Sequence, residues 1–167
     1  MPVVVAVEGI SDRVAVETLA ARLAVDLTDV SIVAVGGAQA IGRFVASVDR
    51  TRDRVVGLCD AQEEPWFRRA LGDGGLHVCD PDLEAELIRA IGADRVEGAL
   101  AANGDLVPFR TLQKQPQWRG RQVEEQLRRF FGSGGRRKIR YAKLLVEVLA
   151  PDEVPAPLAG LLADMRR

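Results

Sequence analysis

The chain has 167 residues, of which 47% are hydrophobic and 28% are charged, and its formal net charge is −1. These values are typical of one globular domain with a substantial core. The sequence has no apolar run long enough to cross a bilayer, and it lacks the basic start and cleavage site of a signal peptide. We therefore expect a cytoplasmic protein without a membrane partner.

The cysteine and histidine content argues against a structural zinc site. The chain contains Cys59, Cys79 and a single histidine, His77, whereas such a site needs about four Cys or His ligands in close pairs. Both cysteines lie at the ends of apolar runs. We expect them to be reduced thiols in the core, because disulfides are rare in cytosolic proteins.

The charges are unevenly distributed along the chain. Residues 110–143 contain eleven Lys or Arg residues, whereas their acids are limited to Glu124 and Glu125. Since the whole chain is close to neutral, the remainder of the sequence is strongly acidic. This asymmetry suits a protein that collects cations at one place and phosphates at another.

Strands and helices alternate in the first half of the sequence. The predicted strands span residues 3–7, 30–37, 54–60 and 75–80, and the helices that follow them span residues 12–24, 38–48, 65–72 and 81–92. Ser11 is the expected N-cap of the first helix and Asp80 that of the fourth, which ends at Gly92. The alternation predicts an α/β domain with a parallel sheet.

The second half of the sequence is mostly helical. We predict helices at about residues 93–102, 121–131, 138–149 and 155–165. The domain prediction is therefore an α/β core over residues 1–92 and a helical, basic extension over residues 93–167. We expect the extension to pack on the core to form a single compact domain.

Carboxylates follow three of the four predicted strands, as Glu8, Asp60 and Asp80. The carboxyl ends of parallel strands lie on one edge of a sheet, so these side chains should lie near one another. Further acids follow each strand, namely Asp12, Glu63, Glu64, Asp82, Glu84 and Glu86. Clustered carboxylates raise each other's pKa values unless a cation is present, and hard oxygen donors suit Mg²⁺ or Mn²⁺.

Helix capping offers an alternative explanation for several of these acids. Acidic side chains stabilise helix N-termini by about 0.3–1 kcal/mol each, which accounts for Asp12, Asp82 and Glu84 without a metal. Asp80 is favoured as a cap over a ligand. Glu8 is harder to explain in this way, because it precedes the cap and extends an apolar strand.

Three stretches together resemble a known family. "VVVAVEGISDRVAVETLA", "VAVGGAQAIGRF" and "VVGLCDAQEE" are similar to a Toprim domain, in the variety found in ATP-dependent endonucleases of the OLD (overcoming lysogenization defect) family. The likeness covers roughly residues 3–90, with a weaker match in the basic segment. It implies a Toprim-like (Rossmann-like) parallel sheet of about four strands flanked by helices, with a helical C-terminal extension.

The resemblance also implies a Mg²⁺- or Mn²⁺-dependent phosphodiester chemistry with one or two ions. It assigns catalytic roles to Glu8, Asp60 and Lys138, the last by a loose alignment, and metal-ligand roles to Glu8, Asp12, Asp60, Asp82 and Glu84. The second acid of the family's Asp-x-Asp motif falls on Gln62. Glu63 or Glu64 is long enough to replace it, and we predict Glu63 as a ligand. A neutral glutamine could still supply an oxygen.

The basic segment would bind the backbone of a nucleic acid. The candidate residues are Lys114, Arg119, Arg136, Arg137, Arg140 and Lys143. Trp118, Phe130 and Phe131 could stack on bases, although we expect the two phenylalanines to lie in the core. A solvated basic surface without a ligand is the alternative.

The sequence therefore predicts a phosphodiester hydrolase or nucleotidyl transferase that acts on nucleic acid, with DNA favoured over RNA. A non-catalytic metal- or nucleic-acid-binding module is the main alternative, because Gln62 replaces an acid. A receiver-like regulatory domain fits less well, since receivers pair their acids after the first strand.

Partners follow from what the sequence lacks. The phosphate loop G-x-x-x-x-G-K-[ST] is absent, so an ATPase would have to come from a separate subunit. "GGAQAIG" lacks the G-x-G-x-x-G spacing and follows the second strand, so a dinucleotide site is not expected there. Self-association into a homo-oligomer is a further possibility.

Overall fold

A computed structural model describes residues 1–72 and 74–167. Within these residues four strands alternate with helices and then give way to helices alone. The strands are β1 (Val3–Val7), β2 (Val30–Ala34), β3 (Arg54–Asp60) and β4 (Leu76–Cys79). The α-helices are α1 (Ile10–Arg22), α2 (Ile41–Ser47), α3 (Glu64–Leu71), α4 (Leu83–Ile91), α5 (Ala93–Ala102), α6 (Leu106–Lys114), α7 (Val123–Gly132), α8 (Gly135–Val148) and α9 (Ala156–Met165).

The described strands form one parallel sheet in the order β2-β1-β3-β4. The central strands β1 and β3 are apolar on both faces, as expected for a sheet covered on both sides by helices. Val3 to Val7 pair in register with Val30 to Ala34 on one side and with Arg54 to Leu58 on the other. The predicted α/β fold with a parallel sheet is confirmed.

Alternate strand residues bury their side chains in two separate hydrophobic clusters. Ala6 and Cys59 pack with Ile41 and Phe67, which belong to α2 and α3. On the opposite face, the cluster combines residues of β1 and β3 with residues of α1 and α4 to α9. The sheet is therefore a middle layer between helices, and its carboxyl edge stays free for a site.

The helices after residue 92 share the core of the first half. Phe131 and Tyr141 pack with ring centroids 4.6 Å apart, and Phe109 and Phe130 pack at 5.5 Å. These rings lie in the same buried cluster as the β1 residue Val5. Phe130 and Phe131 are core residues as expected, and Cys59 and Cys79 are buried free thiols.

The structure corrects both predicted helix caps. The first helix is capped by Gly9, whose extended backbone precedes Ile10, and Ser11 is buried within α1. The Asp12 carboxylate accepts the Gly9 N–H, so an acid at the third helical position satisfies the backbone donor of the N-cap residue. In the fourth helix Asp82 replaces Asp80 as the N-cap, because its carboxylate accepts the Ala85 N–H at 2.8 Å.

The second half differs from prediction in one additional helix and in the starts of two others. Helix α6, which contains Pro108, was not predicted. Proline is tolerated there because it lies in the first turn of α6, where backbone N–H groups have no partner within the helix. Helix α8 begins at Gly135, three residues before the predicted start, and α7 begins at Val123.

The last helix is held to the sheet edge by polar contacts. Asp164 in α9 lies 2.8 Å from His77 Nε2 of β4 and 3.3 Å from Arg54 Nη1 of β3. Burial of Asp164 opposes its ionisation, but His77 and Arg54 outweigh burial and lower its pKa. Across the described ranges, no helix combines the length and apolar character needed to span a membrane.

Candidate metal centre

Three carboxylates meet at the carboxyl edge of the sheet. Glu8 follows β1, Asp60 ends β3, and Glu63 closes the 3₁₀ turn Ala61–Glu63. One carboxylate oxygen from each residue lies within 4.8 Å of the other two. We call Glu8, Asp60 and Glu63 the carboxylate cluster.

Backbone hydrogen bonds fix the positions of these side chains. The Asp60 N–H donates to Glu63 Oε2 at 3.0 Å, and the Leu83 N–H donates to Asp60 Oδ1 at 3.0 Å. The carbonyl of Glu8 accepts the N–H groups of Gly36 and Gly37. The cluster is therefore built on turns that are themselves hydrogen bonded, which is how a precise ligand geometry is maintained.

A second charged group adjoins the carboxylate cluster. It consists of Asp12, Glu84 and Lys138, and the Lys138 ammonium lies 3.4 Å from Glu84 Oε1. Asp12 and Glu84 are both buried. Helix α8, which packs against α1, thus brings a lysine from the basic segment to acids that lie far from it in sequence.

The electrostatics of the site favour a bound cation. Burial, followed by the charges of Asp12 and Glu63, raises the pKa of Asp60 to about 8. Burial is also the main reason why the pKa of Asp12 is raised to about 6. The pKa of Glu8 is raised first by burial and then by the charge of Glu63. These raised pKa values mean that too little positive charge lies near the carboxylates to stabilise their ionised forms. A divalent ion would supply that charge.

Lys138 supplies part of that positive charge. Burial alone would lower its pKa, but the carboxylates of Glu84, Asp12 and Asp60 outweigh burial and raise it. The side chain therefore stays protonated at neutral pH. One lysine faces several acids, so the site as a whole remains acidic.

The donor atoms of the carboxylate cluster fit Mg²⁺ or Mn²⁺. All of them are carboxylate oxygens, which are the ligands these hard ions prefer. Gln62 is exposed and donates its amide to Glu63 Oε1 at 3.0 Å. Glu64, the other candidate substitute for the missing acid, instead forms an ion pair with Arg68.

Asp82 lies outside the carboxylate cluster. Its carboxylate caps α4 and forms an ion pair with Arg128 of α7. Two of the remaining basic candidates are also engaged: Arg140 pairs with Asp105 at 3.1 Å, and Lys143 lies 3.9 Å from Glu147. The binding roles assigned to these residues remain predictions.

The other basic candidates differ in their surroundings. The Arg137 guanidinium lies 4.1 Å from the Phe130 ring centroid and donates to Ser133 Oγ. Lys114, Arg119 and Arg136 are exposed and have no ion-pair partner in the described part of the chain. Their proposed contacts with nucleic acid likewise remain predictions.

A groove of about 440 Å³ leads to Lys138 and Glu84. Trp118, Arg121, Arg128 and Arg129 line it together with the acids Asp82, Glu84 and Glu125. We call the first four residues, with Lys138, the basic groove. The concentration of basic residues at 110–143 indicated this region, but the sequence analysis singled out other arginines. Only the packing of α7 beside α4 shows which of them face the acids.

A second cavity, of about 720 Å³, adjoins Glu8 and Glu63 on the opposite flank. Residues 36–40, Arg43, Gln62 and Trp66 line it. No sequence motif marks Arg43 or Trp66, so neither residue was predicted as part of the site. We call this space the glycine-loop pocket, after Gly36 and Gly37.

Comparisons with known proteins agree with this architecture. Residues 2–61 match the family model described as "Overcoming lysogenization defect protein-like, TOPRIM domain". The C-terminal region of the Burkholderia pseudomallei OLD protein superimposes with a TM-score of 0.71 at 18% identity, covering 98% of this chain and 96% of that one. The corresponding region from Xanthomonas campestris pv. campestris gives 0.71 at 22% identity, covering 98% and 91%. No curated protein matches the sequence.

Proposed function

This chain contains a Toprim domain resembling that of OLD proteins, and we propose that it is a metal-dependent phosphodiester hydrolase or nucleotidyl transferase. Its substrate is a nucleic acid. The observation that carries the proposal is the meeting of the Glu8, Asp60 and Glu63 carboxylates within 4.8 Å of one another. Such a concentration of hard donors at the carboxyl edge of a parallel sheet is typical of a catalytic centre.

The carboxylate cluster would hold Mg²⁺ or Mn²⁺. When bound, the ion supplies Lewis-acid polarisation of a phosphate oxygen and lowers the pKa of a water molecule. Glu8 and Asp60 would hold the ion at the carboxyl edge of the sheet, which sets where the reacting phosphate can bind. Asp12 and Glu84 complete the acidic surroundings. In the two-metal form of the proposal, these two carboxylates would lie beside a second ion.

Lys138 is proposed to stabilise the negative charge that develops on the phosphate. Its ammonium already lies among the acids, 3.4 Å from Glu84 Oε1. A protonated lysine held in a partly buried site stabilises a developing anion more strongly than one in water. Its pairing with Glu84 keeps the side chain in place before substrate binds.

The basic groove would hold the polynucleotide backbone on the Lys138 side of the site. Arg129 supplies positive charge that no acid of the described residues neutralises, whereas Arg121 pairs with Glu125 and Arg128 with Asp82. We propose DNA as the substrate in preference to RNA. An ATPase provided by a separate subunit and self-association of the chain are further parts of the proposal.

A non-catalytic binding module is the second candidate function. Gln62 stands where the family has a second acid, and its amide is directed at Glu63. A centre with one carboxylate fewer binds a divalent ion more weakly. Such a module would bind nucleic acid with Mg²⁺ and leave it intact.

Incubation of labelled single- and double-stranded DNA and RNA with Mg²⁺, Mn²⁺ or a chelator separates these functions. We expect cleavage with metal and none with chelator. Glu8→Gln should abolish cleavage and retain binding, whereas the control Glu17→Gln, whose carboxylate pairs with Arg13 on α1, should cleave normally. Binding without turnover under every metal would support the module and overturn the enzyme.

A further inference from the structure

We propose that the glycine-loop pocket binds the nucleotide next to the reacting phosphate, with its base on Trp66 and its distal phosphate on Arg43. The pocket shares Glu8 and Glu63 with the carboxylate cluster, so a nucleotide in it would lie beside the proposed metal. This inference rests on the proposed function, because it names the part of the polynucleotide that this flank receives.

Trp66 is the aromatic surface of the pocket. It is 42% exposed, whereas its neighbour Phe67 is fully buried against the sheet. In the described residues no aromatic ring or guanidinium packs on the Trp66 indole. Trp118, by contrast, has the Arg121 guanidinium 5.2 Å from its ring centroid. An uncovered indole at a cavity wall can stack on a base of any identity.

Arg43 is the cation of the pocket. It lies on α2, is exposed, and has no ion-pair partner among residues 1–72 and 74–167. Most other walls are neutral or acidic, so Arg43 is the side chain suited to a phosphate. The carboxylates of Glu8 and Glu63 would repel a phosphate at the other end unless a divalent ion is bound. We therefore expect Mg²⁺ to strengthen nucleotide binding.

The size and polarity of the pocket fit one nucleotide. Its volume of about 720 Å³ lies within the range of small-molecule sites. Gln39 and Gln62 line it and offer amide groups that can hydrogen bond to base edges. A Cβ at Gly36 or Gly37 would meet no atom within 4 Å, so the loop leaves this space open.

Tryptophan fluorescence tests the proposal without any bond cleavage. In a Trp118→Phe variant of the full chain, Trp66 is the remaining tryptophan. Titration with 5′-dAMP in Mg²⁺ should quench its emission saturably, and deoxyribose 5-phosphate, which lacks a base, should not. Excitation at wavelengths where the nucleotide does not absorb avoids artefactual quenching.

Arg43 is tested by comparing two probes. Adding Arg43→Gln to this variant should weaken the binding of 5′-dAMP about tenfold. The binding of deoxyadenosine should not change, because the nucleoside lacks the phosphate. Arg52→Gln is the matched control, since Arg52 is exposed, pairs with Asp49 and precedes β3 at the opposite edge of the sheet. Circular dichroism confirms that each variant is folded.

The outcomes separate this inference from the proposed function. Saturable quenching that Arg43→Gln weakens supports the pocket, even if no polynucleotide is cleaved. Absence of quenching, or equal loss for 5′-dAMP and deoxyadenosine in Arg43→Gln, overturns it even if the chain cleaves DNA.

Discussion

Glu63 Oε2 accepts a hydrogen bond from the Asp60 N–H at 3.0 Å, and this bond places the Glu63 carboxylate beside that of Glu8. The contact begins as helix capping, in which the third residue of a turn satisfies an unpaired backbone donor. At this position it also helps to assemble the carboxylate cluster. The same turn directs Glu64 toward Arg68 and away from the cluster.

Replacing Glu63 should weaken metal binding far more than replacing its neighbour. We expect Glu63→Gln to weaken Mn²⁺ binding by about tenfold or more, since it removes a charged ligand and alters the support of Asp60. Glu64→Gln should change the affinity less than about twofold, because an exposed ion pair contributes little. Isothermal titration calorimetry measures both. Equal effects of the two substitutions would contradict this assignment of ligands.

The stability of the metal-free protein should depend on Asp60 ionisation. Its native pKa of about 8 exceeds the ordinary value of 3.8, so the native state keeps a proton that the unfolded state releases. The free energy of unfolding should therefore fall as the pH rises between these two values. Asp60→Asn removes this pH dependence, so its stability relative to the parent should increase with pH, by up to about 6 kcal/mol in total.

Urea unfolding in chelator at several pH values measures this difference. Asparagine can still accept the Leu83 N–H through its side-chain oxygen, so the substitution isolates the charge. Saturating Mg²⁺ should flatten the decline in the parent protein and have little effect on the variant. A stability difference that does not change with pH would refute the raised pKa.

Restoring an acid at position 62 should strengthen the metal centre. Gln62→Asp adds a charged oxygen next to Glu63, where the family pattern has one, and ligand charge sets the affinity of hard divalent ions. We expect Mn²⁺ to bind about tenfold more tightly and any cleavage to accelerate. Gln39→Asp, which lines the glycine-loop pocket but does not adjoin Glu63 in the chain, is the control. If both variants gain equally, the effect is one of net charge alone.

Arg129 should contribute to nucleic-acid binding in a salt-dependent way. It lines the basic groove and has no ion-pair partner within the structurally described residues. Arg129→Gln should reduce the slope of log affinity against log salt by about 1, since one phosphate contact is lost. Fluorescence anisotropy of labelled DNA in Ca²⁺ gives the slope. Arg52→Gln should leave it unchanged, and an equal loss in both variants would argue against the groove.

Gly160 should resist substitution although it lies within a helix. An added Cβ would lie 2.7 Å from His77 Nδ1, on the ring that contacts Asp164. We expect Gly160→Ala to destabilise the protein by about 1–3 kcal/mol through overpacking. Gly98→Ala in α5 meets no atom within 4 Å and should stabilise by about 0.5–1 kcal/mol, as helix propensity predicts. Urea unfolding of both variants measures the two changes in stability. Opposite signs are expected, and a shared sign would contradict the prediction.

The sequence alone was sufficient for the sheet and for the acidic edge. β1 is an apolar run that ends next to Glu8, and β3 is an apolar run that ends at Asp60. A short, continuous apolar run predicts a buried strand from the local sequence alone. The order of strands and helices then places both acids on one edge, because parallel strands end together. Helix α6 was not predicted, and the predicted caps of α1 and α4 were wrong, since the hydrogen bonds of a single residue decide each cap.

Which side chains meet was decided by the tertiary structure. The sequence analysis left both Glu63 and Glu64 able to replace the missing acid, and the direction of one 3₁₀ turn separates them. Lys138 reaches Glu84 only because α8 packs against α1, and Arg43 and Trp66 share a cavity through the meeting of α2 and α3. Periodicity along a chain reports what each segment buries, whereas contacts between segments depend on turns and packing that no single segment contains.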